Sequence, residues 1–323
     1  MEIAANEIGA VVGHAAAKLE FLAAVDAGKL HHGWLLRGPR GVGKARLAIQ
    51  FAMHLLDAGD GQFAATADTQ VGRLIAAGSH PDFRIIRRPI DDKGKQKSEI
   101  PVDSVRELSE FFAMRPAMGG WRVAIIDAVD EMNRHGENAI LKTLEEPPNR
   151  AVLFLISHGE QLLLPTIRSR CRVLRCGALG ENETLQALAQ AGISGARADA
   201  VARIAPGRPG RAIELESADA GAAADAISTA VRSLADPDAR SLQIALTQAA
   251  KSDASMAAAM EALRVTLQKR ATRELDPAIA GDWASAALDV MRIDAEAQAL
   301  NQDRAQTIAA ALSRVSRLAR SGG

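Results

Sequence analysis

Between Trp34 and Leu47 the chain reads WLLRGPRGVGKARL, and no other stretch constrains the fold as tightly. An apolar run, Trp34-Leu35-Leu36, enters a Gly/Pro-rich turn, and a helix follows with Leu47, Ala48, Phe51, Ala52 and Leu55 on its apolar face. Within the turn, Gly38, Gly43 and Lys44 keep the spacing of the phosphate-binding loop G-x-x-x-x-G-K-[ST], and Gly41 lies inside it. Such a loop needs glycines so that successive N–H groups can turn inward round a phosphate. It also needs a lysine to reach the terminal phosphates and a hydroxyl to hold magnesium. Glycines and lysine are present, but Ala45 stands where the hydroxyl belongs. Lys44 and the helix start favour an anion, while the missing hydroxyl removes an inner magnesium ligand. Occupancy by ATP or ADP therefore stays open.

A strand feeding such a loop belongs to an α/β sheet, and further strand candidates follow at 82–87, 122–127, 151–157 and 172–176, after the first at 33–37. Runs such as VAIID and AVLFLIS are apolar at nearly every position, as in parallel strands covered by helices on both faces. A helix over 14–29 presents Leu19, Leu22, Ala23 and Val25 as its apolar face, with Gly28 as C-cap. Asp103 caps a helix through Val105, Leu108, Phe111 and Phe112, and a helix over 138–146 is stopped by Pro147 and Pro148. The charged segment 87–103 reads as a solvated loop. Beyond Gly177 only helical patterning remains, broken at 205–210 (APGRPG) and 235–239. The expected domains are an α/β domain over 1–177, a small helical domain over 178–215 and a larger one over 216–323.

A second acidic element supports the nucleotide fold. The strand Val123-Ala124-Ile125-Ile126 ends in Asp127, where phosphate-loop proteins hold the magnesium shell. Hydrolysing ring ATPases follow that aspartate with a glutamate that polarises water, and here Ala128 follows. Asp130 and Glu131 read as helix-start charges. With the hydroxyl and the glutamate both missing, intrinsic hydrolysis is not expected. Ser169-Arg170-Cys171 precedes the last strand, where an arginine can project into a neighbouring subunit's nucleotide.

Other chemistry is excluded. His31 and His32, adjacent in what reads as a strand, face opposite ways, and His80-Pro81-Asp82 reads as turn chemistry, so no metal cluster forms. Cys171 and Cys176, in one strand, point to opposite faces about 16 Å apart, too far for a disulfide. Charge is balanced, 39 basic against 39 acidic residues, so no whole-chain footprint for nucleic acid exists. Arg304, Arg314, Arg317 and Arg320 read as a solvated helix face. With no bilayer-length apolar run and no signal-peptide pattern at MEIAANEIGA, a soluble cytoplasmic protein is expected.

VVGH (11–14), GPRGVGKA (38–45), GSHPDF (78–83), I-x-V-D-x-V-R-x-L (100–108), NAILKTLEEPP (138–148) and SRC (169–171) occur in that order. In them the chain closely resembles the bacterial AAA+ clamp-loader subunits of DNA polymerase III, in the delta-prime branch. The likeness is strong over about residues 8–215; ALNQDRAQTIAAALSRV (299–315) looks like a final collar helix. The resemblance implies an AAA+ domain with a RecA-like, five-stranded parallel sheet, a three-helix lid and an all-α collar that joins a five-subunit ring. It implies gamma/tau and delta subunits as partners, with indirect contact to the sliding clamp and to primed DNA, and ATP-driven clamp loading in replication. The chain would be a component of a DNA-directed DNA polymerase without an ATPase of its own.

By the same resemblance Arg170, within Ser169–Cys171, becomes a trans arginine finger. Val11 and Val12 flank an adenine pocket, Ser157 matches sensor 1, and Arg211 matches sensor 2. Relatives commonly carry four zinc-binding cysteines within 57–80; this chain has none there, so no zinc is expected and packing round Phe63, Val71, Leu74 and Ile75 holds that lobe. Two alternatives remain: an ATP-hydrolysing clamp-loader-like or DNA-repair ATPase, and an interaction protein whose phosphate loop is a relic.

Overall fold

The computed structural model describes residues 7–57, 63, 66–91, 97, 99–118, 120–159, 164–216, 218–231, 239–300 and 302–321. The chain divides into two units, Met1–Ala187 and Leu188–Gly323.

In the first unit, β1 (Gly33–Arg37), β2 (Phe83–Arg87), β3 (Arg122–Asp127), β4 (Ala151–Ser157) and β5 (Arg172–Arg175) form one parallel sheet in the order β2-β3-β4-β1-β5. Alternation along each strand sends side chains to opposite faces. Trp34, Leu36, Val123, Ile125, Val152, Phe154 and Ile156 join one buried cluster, with α1 (Ala15–Asp26), α2 (Lys44–Leu56) and α3 (Gln70–Ala76). Leu35, Ala124, Ile126, Leu153 and Leu155 join the other, with α4 (Val102–Ala113) and α5 (Arg134–Glu145). Central β4 is buried at every position, which explains why AVLFLIS carries no polar alternation.

The helices correct the sequence in several details. In α1 the buried positions are Ala17, Phe21 and Ala24, while Leu19 is 69% exposed. Phe21 decides the facing, because its ring stacks on Phe51 at 4.1 Å and meets Trp34 edge-on at 5.4 Å. The C-cap is Ala27 rather than Gly28, and Gly28 follows it in the left-handed region, at φ +64°, one residue past the expected place. Asp103 is not a cap: the N-cap is Pro101 and Asp103 lies in the first turn, while Val105, Leu108, Phe111 and Phe112 are buried as expected. α5 begins four residues earlier than the apolar pattern, because the Asn133 side chain accepts the Gly136 N–H at 3.0 Å. His31 and His32 precede β1 rather than lying in it, and their rings stack at 4.3 Å instead of facing opposite ways. Val71 and Ile75 are buried, Leu74 is half-buried, and Phe63 packs on Phe51 at 5.6 Å. Of the segment 87–103, residues 92–96 and 98 lie outside the described residues.

The division between the units falls inside α7 (Glu181–Gln190). The second unit is helical throughout its described residues: α8 (Gly195–Ile204), α9 (Pro209–Glu214), α10 (Ala218–Ala230), α11 (Ala239–Ala249), α12 (Asp253–Arg273), α13 (Pro277–Leu300) and α14 (Arg304–Ser321). The short α6 (Pro165–Ser169) belongs to the first unit. The core of the second unit joins Leu215, Ile227, Leu263, Trp283, Val290, Ile308, Leu312 and Val315 to many buried alanines, small side chains that let helices approach closely. Arg304 is half-buried and Arg314 exposed, and each reaches another helix, pairing with Asp253 at 2.8 Å and Asp289 at 2.9 Å. Among the described residues no helix is long and apolar enough to cross a membrane.

Candidate functional site

The register of the sheet assembles the site. Arg37 of β1 lies opposite Ser157 of β4, Arg87 of β2 lies opposite Asp127 of β3, and all four end their strands at the carboxyl edge. Ligands of open α/β sheets bind in the crevice at that edge. The chain leaves β1 through Gly38, whose N–H donates to the Ser157 carbonyl at 3.2 Å. A Cβ on Gly38 would sit 1.8 Å from the Cys176 carbonyl oxygen, so only glycine fits. After Gly41, Gly43 takes φ +101° and starts α2. Ala45 packs partly buried against the core.

Lys44 is almost fully buried and folds back on the loop, donating to the carbonyls of Gly38 at 2.6 Å and Pro39 at 2.7 Å. Burial pushes its ammonium down to about 8, against the opposing pull of Cys176, Asp127 and Asp130. The VVGH segment is tied in by His14, whose Nε2 donates to the Val42 carbonyl at 2.8 Å. Val11 is buried in the same cluster as Val42, and Val12 is half-buried beside it.

Asp130 lies in the first turn of a short 3-10 helix, Val129–Glu131, as the sequence suggests, but its side chain also accepts the Ser157 hydroxyl at 2.8 Å and the backbone N–H of His158. Burial raises its carboxyl and that of Asp127 above the ordinary range, against opposing hydrogen bonds and cations. Glu131 pairs with Arg88 at 2.7 Å. Burial and the cations Lys44, Arg40 and Arg88 push the His158 imidazole down to about 3.

Most of the oxygens that would hold magnesium are missing or engaged. Ala45 has none, Asp127 is clasped by Arg87 (Nε to Oδ2, 3.2 Å), and Asp130 is engaged by Ser157 and His158. The residues do not fit a divalent cation in its usual place.

Gly38, Gly41, Gly43, Lys44, Ala45, Asp127 and Ser157 thus converge, with Val11 and Val12 attached. Ser169, Arg170 and Cys171 do not join them, because they precede the amino end of β5. Arg170 is 36% exposed there, with its guanidinium on Glu145 at 2.8 Å and on the Thr166 carbonyl at 3.0 Å. Cys171 lies just outside β5 rather than within it. It packs against one face of the sheet and Cys176 against the other, as free thiols that burial raises to about 12 and about 11. Arg211 belongs to the second unit, where it pairs with Glu214 at 2.8 Å. His14 and Arg40 fell inside the VVGH and GPRGVGKA motifs without a role assigned to either; Arg87, Arg88 and His158 carried no motif, and only their place at or just past a strand end marked them.

Parallel strands in the order β2-β3-β4-β1-β5, a phosphate loop after β1 and an aspartate ending β3 define an AAA+ nucleotide-fold protein. The chain belongs to the family described as DNA polymerase III, delta subunit, whose model matches residues 13–179. It is 38% identical over 160 residues to the DNA polymerase III subunit delta' of Pseudomonas aeruginosa, covering 50% of this chain and 47% of that protein. It is 30% identical over 201 residues to the Escherichia coli delta' subunit, covering 62% and 59%. With the tau/gamma subunit of Haemophilus influenzae it shares 35% over 161 residues, covering 50% and 22%. The chain therefore spans less than two thirds of the length of each of these relatives. A solved Thermotoga maritima protein related to the gamma subunit is 16% identical, covering 92% of this chain and 99% of its own, with a TM-score of 0.44.

Proposed function

We propose that this chain is the non-hydrolysing, delta-prime-type subunit of a bacterial clamp loader. It works in the cytoplasm with gamma/tau and delta subunits, whose ATP turnover opens a sliding clamp and places it on primed DNA. Its own loop leaves ATP or ADP unhydrolysed, and it needs no zinc. Val11 and Val12 line the adenine side of that loop, Ser157 and Arg211 act as its sensors, and Arg170 completes the nucleotide site of a neighbour.

The position of Arg170 carries this reading. It lies five residues before Arg175, which pairs with Arg37 at the mouth of the phosphate loop. At about 3.3 Å per residue the three steps of β5 from Arg172 to Arg175 span about 10 Å, and Arg170 precedes them, beside Gly33 at the opposite end of the sheet from its own loop. An exposed guanidinium there is out of reach of its own phosphates and available to another subunit's. The contact with Glu145 is half-exposed, and such pairs are worth about 0–1 kcal/mol, so releasing Arg170 costs little.

The test is single-turnover ATP hydrolysis by a loader reconstituted with gamma/tau and delta. Arg170→Ala is expected to slow the event at the adjoining site by about 10³-fold or more. Unchanged kinetics would overturn the reading, as would DNA-stimulated hydrolysis by the isolated chain that Lys44→Ala abolishes.

A further inference from the structure

Arg87 ends β2 directly opposite Asp127, and its guanidinium is used on two edges. Nε donates to Asp127 Oδ2 at 3.2 Å, while Nη1 donates to Glu7 Oε1 at 3.1 Å and Nη2 to Glu7 Oε2. All three side chains are largely shielded from water, Arg87 at 20%, Asp127 at 19% and Glu7 at 26% exposure. The pairing with Glu7 is the two-pronged kind that guanidinium geometry favours, and it comes from a segment far away in sequence.

In a phosphate-loop protein that hydrolyses, a hydrated magnesium ion faces the carboxylate at this strand end. Magnesium needs six oxygens in near-octahedral array. Here Asp127 meets a cation already, Ala45 offers no oxygen, and Asp130 is spent on Ser157 and His158. Cations already face these carboxylates: Arg87 lies against Asp127 and Glu7, and Lys44 acts on Asp127 and Asp130, so a divalent ion would meet charge of its own sign in a shielded site.

We infer that Arg87, clasped between Glu7 and Asp127, is a resident substitute for the divalent cation and closes this pocket to magnesium. A guanidinium suits the part because it never loses its proton and can span two carboxylates, which an ammonium cannot. The inference deepens the non-hydrolysing part of the function proposed above, and supplies its cause: Asp127 is kept, yet serves a side chain instead of a metal. An ordinary structural ion pair would predict lost stability when Arg87 is removed, and no change in metal affinity.

The probe is Mn²⁺ alone, titrated into the full chain and followed by electron paramagnetic resonance. The wild type is expected to hold no stoichiometric Mn²⁺. Arg87→Met, which keeps the length and removes the charge, is expected to gain one Mn²⁺ per chain with affinity raised by about tenfold or more. Adding Asp127→Asn should remove that gain. If Arg87→Met does not fold, as judged by circular dichroism, Arg87→Lys takes its place and is expected to show a smaller gain of the same kind. One Mn²⁺ on the wild type that Asp127→Asn abolishes would overturn the inference. So would folded Arg87 variants that bind no more metal than the wild type. Neither result depends on Arg170, so failure here leaves the clamp-loader reading standing, and failure there leaves this one.

Discussion

Asp82 is almost fully buried, and its two oxygens accept the N–H groups of Ala117 and Met118, each at 2.8 Å. Arg122, at 3.3 Å, balances its charge and lies over the Phe111 ring at 4.6 Å. This is what GSHPDF achieves physically: a buried carboxylate at the start of β2 pins the turn that leads into β3. Removing one partner of a buried pair strands the other, so Asp82→Ala is expected to cost about 3–5 kcal/mol in urea unfolding. His158 supplies a pH signature. Its folded value, near 3, lies below the unfolded 6.5, so its neutral form is compatible with folding above 6.5 and the unfolded chain alone takes up the proton below that. The resulting loss of stability should reach about 2 kcal/mol by pH 5. Asp127 and Asp130, raised by burial, bind protons earlier in the folded state and act in the opposite sense. The measurement is therefore a difference: His158→Gln should lose less stability between pH 8 and pH 5 than the wild type, and parallel curves would refute the assignment.

At the scale of elements, the loop between β1 and α2 tolerates least. A side chain at Gly38 collides with the Cys176 carbonyl, a backbone atom fixed by the sheet: Cys176 N–H donates to the Arg37 carbonyl at 2.7 Å. Gly38→Ala should therefore destabilise by about 2 kcal/mol or more, at the upper end of the usual overpacking cost. The strands were readable almost residue for residue: β1, β3 and β4, buried on both faces, leave a strong apolar signal, and the edge strands β2 and β5 were legible despite their exposed positions. Helix starts were less so. Apolar periodicity locates the buried stripe of a helix but says nothing of the polar first turn, which is why α5 begins at Arg134 and α4 at Val102. For α1 the stripe holds only in part: Val25 packs on the core, but Leu19 and Ala23 are exposed, because Leu19 and Phe21 are both apolar and only packing on Phe51 selects between them.

For the whole molecule, the two buried clusters of the first unit share no residue with the core of the second, so the units make two cooperative systems. Scanning calorimetry of the full chain is expected to resolve two transitions. Gly38→Ala should lower only one, and Leu263→Ala, which empties a fully buried site at a cost of about 2–5 kcal/mol, only the other. A single transition shifted equally by both variants would show that the units unfold as one.

Sequence alone determined the class of fold, the phosphate loop and its missing hydroxyl, the aspartate ending β3 and the arginine before β5. These depend on residue type and short spacing, and local chemistry needs nothing more. Tertiary structure decided how that chemistry is wired. Arg87 meets Asp127 only through strand register, Glu7 meets Arg87 across 80 residues, and Asp130 reaches Ser157 only once β3 and β4 lie side by side. Contacts between residues distant in sequence are set by how strands pair and layers pack, and a linear pattern carries no record of that pairing.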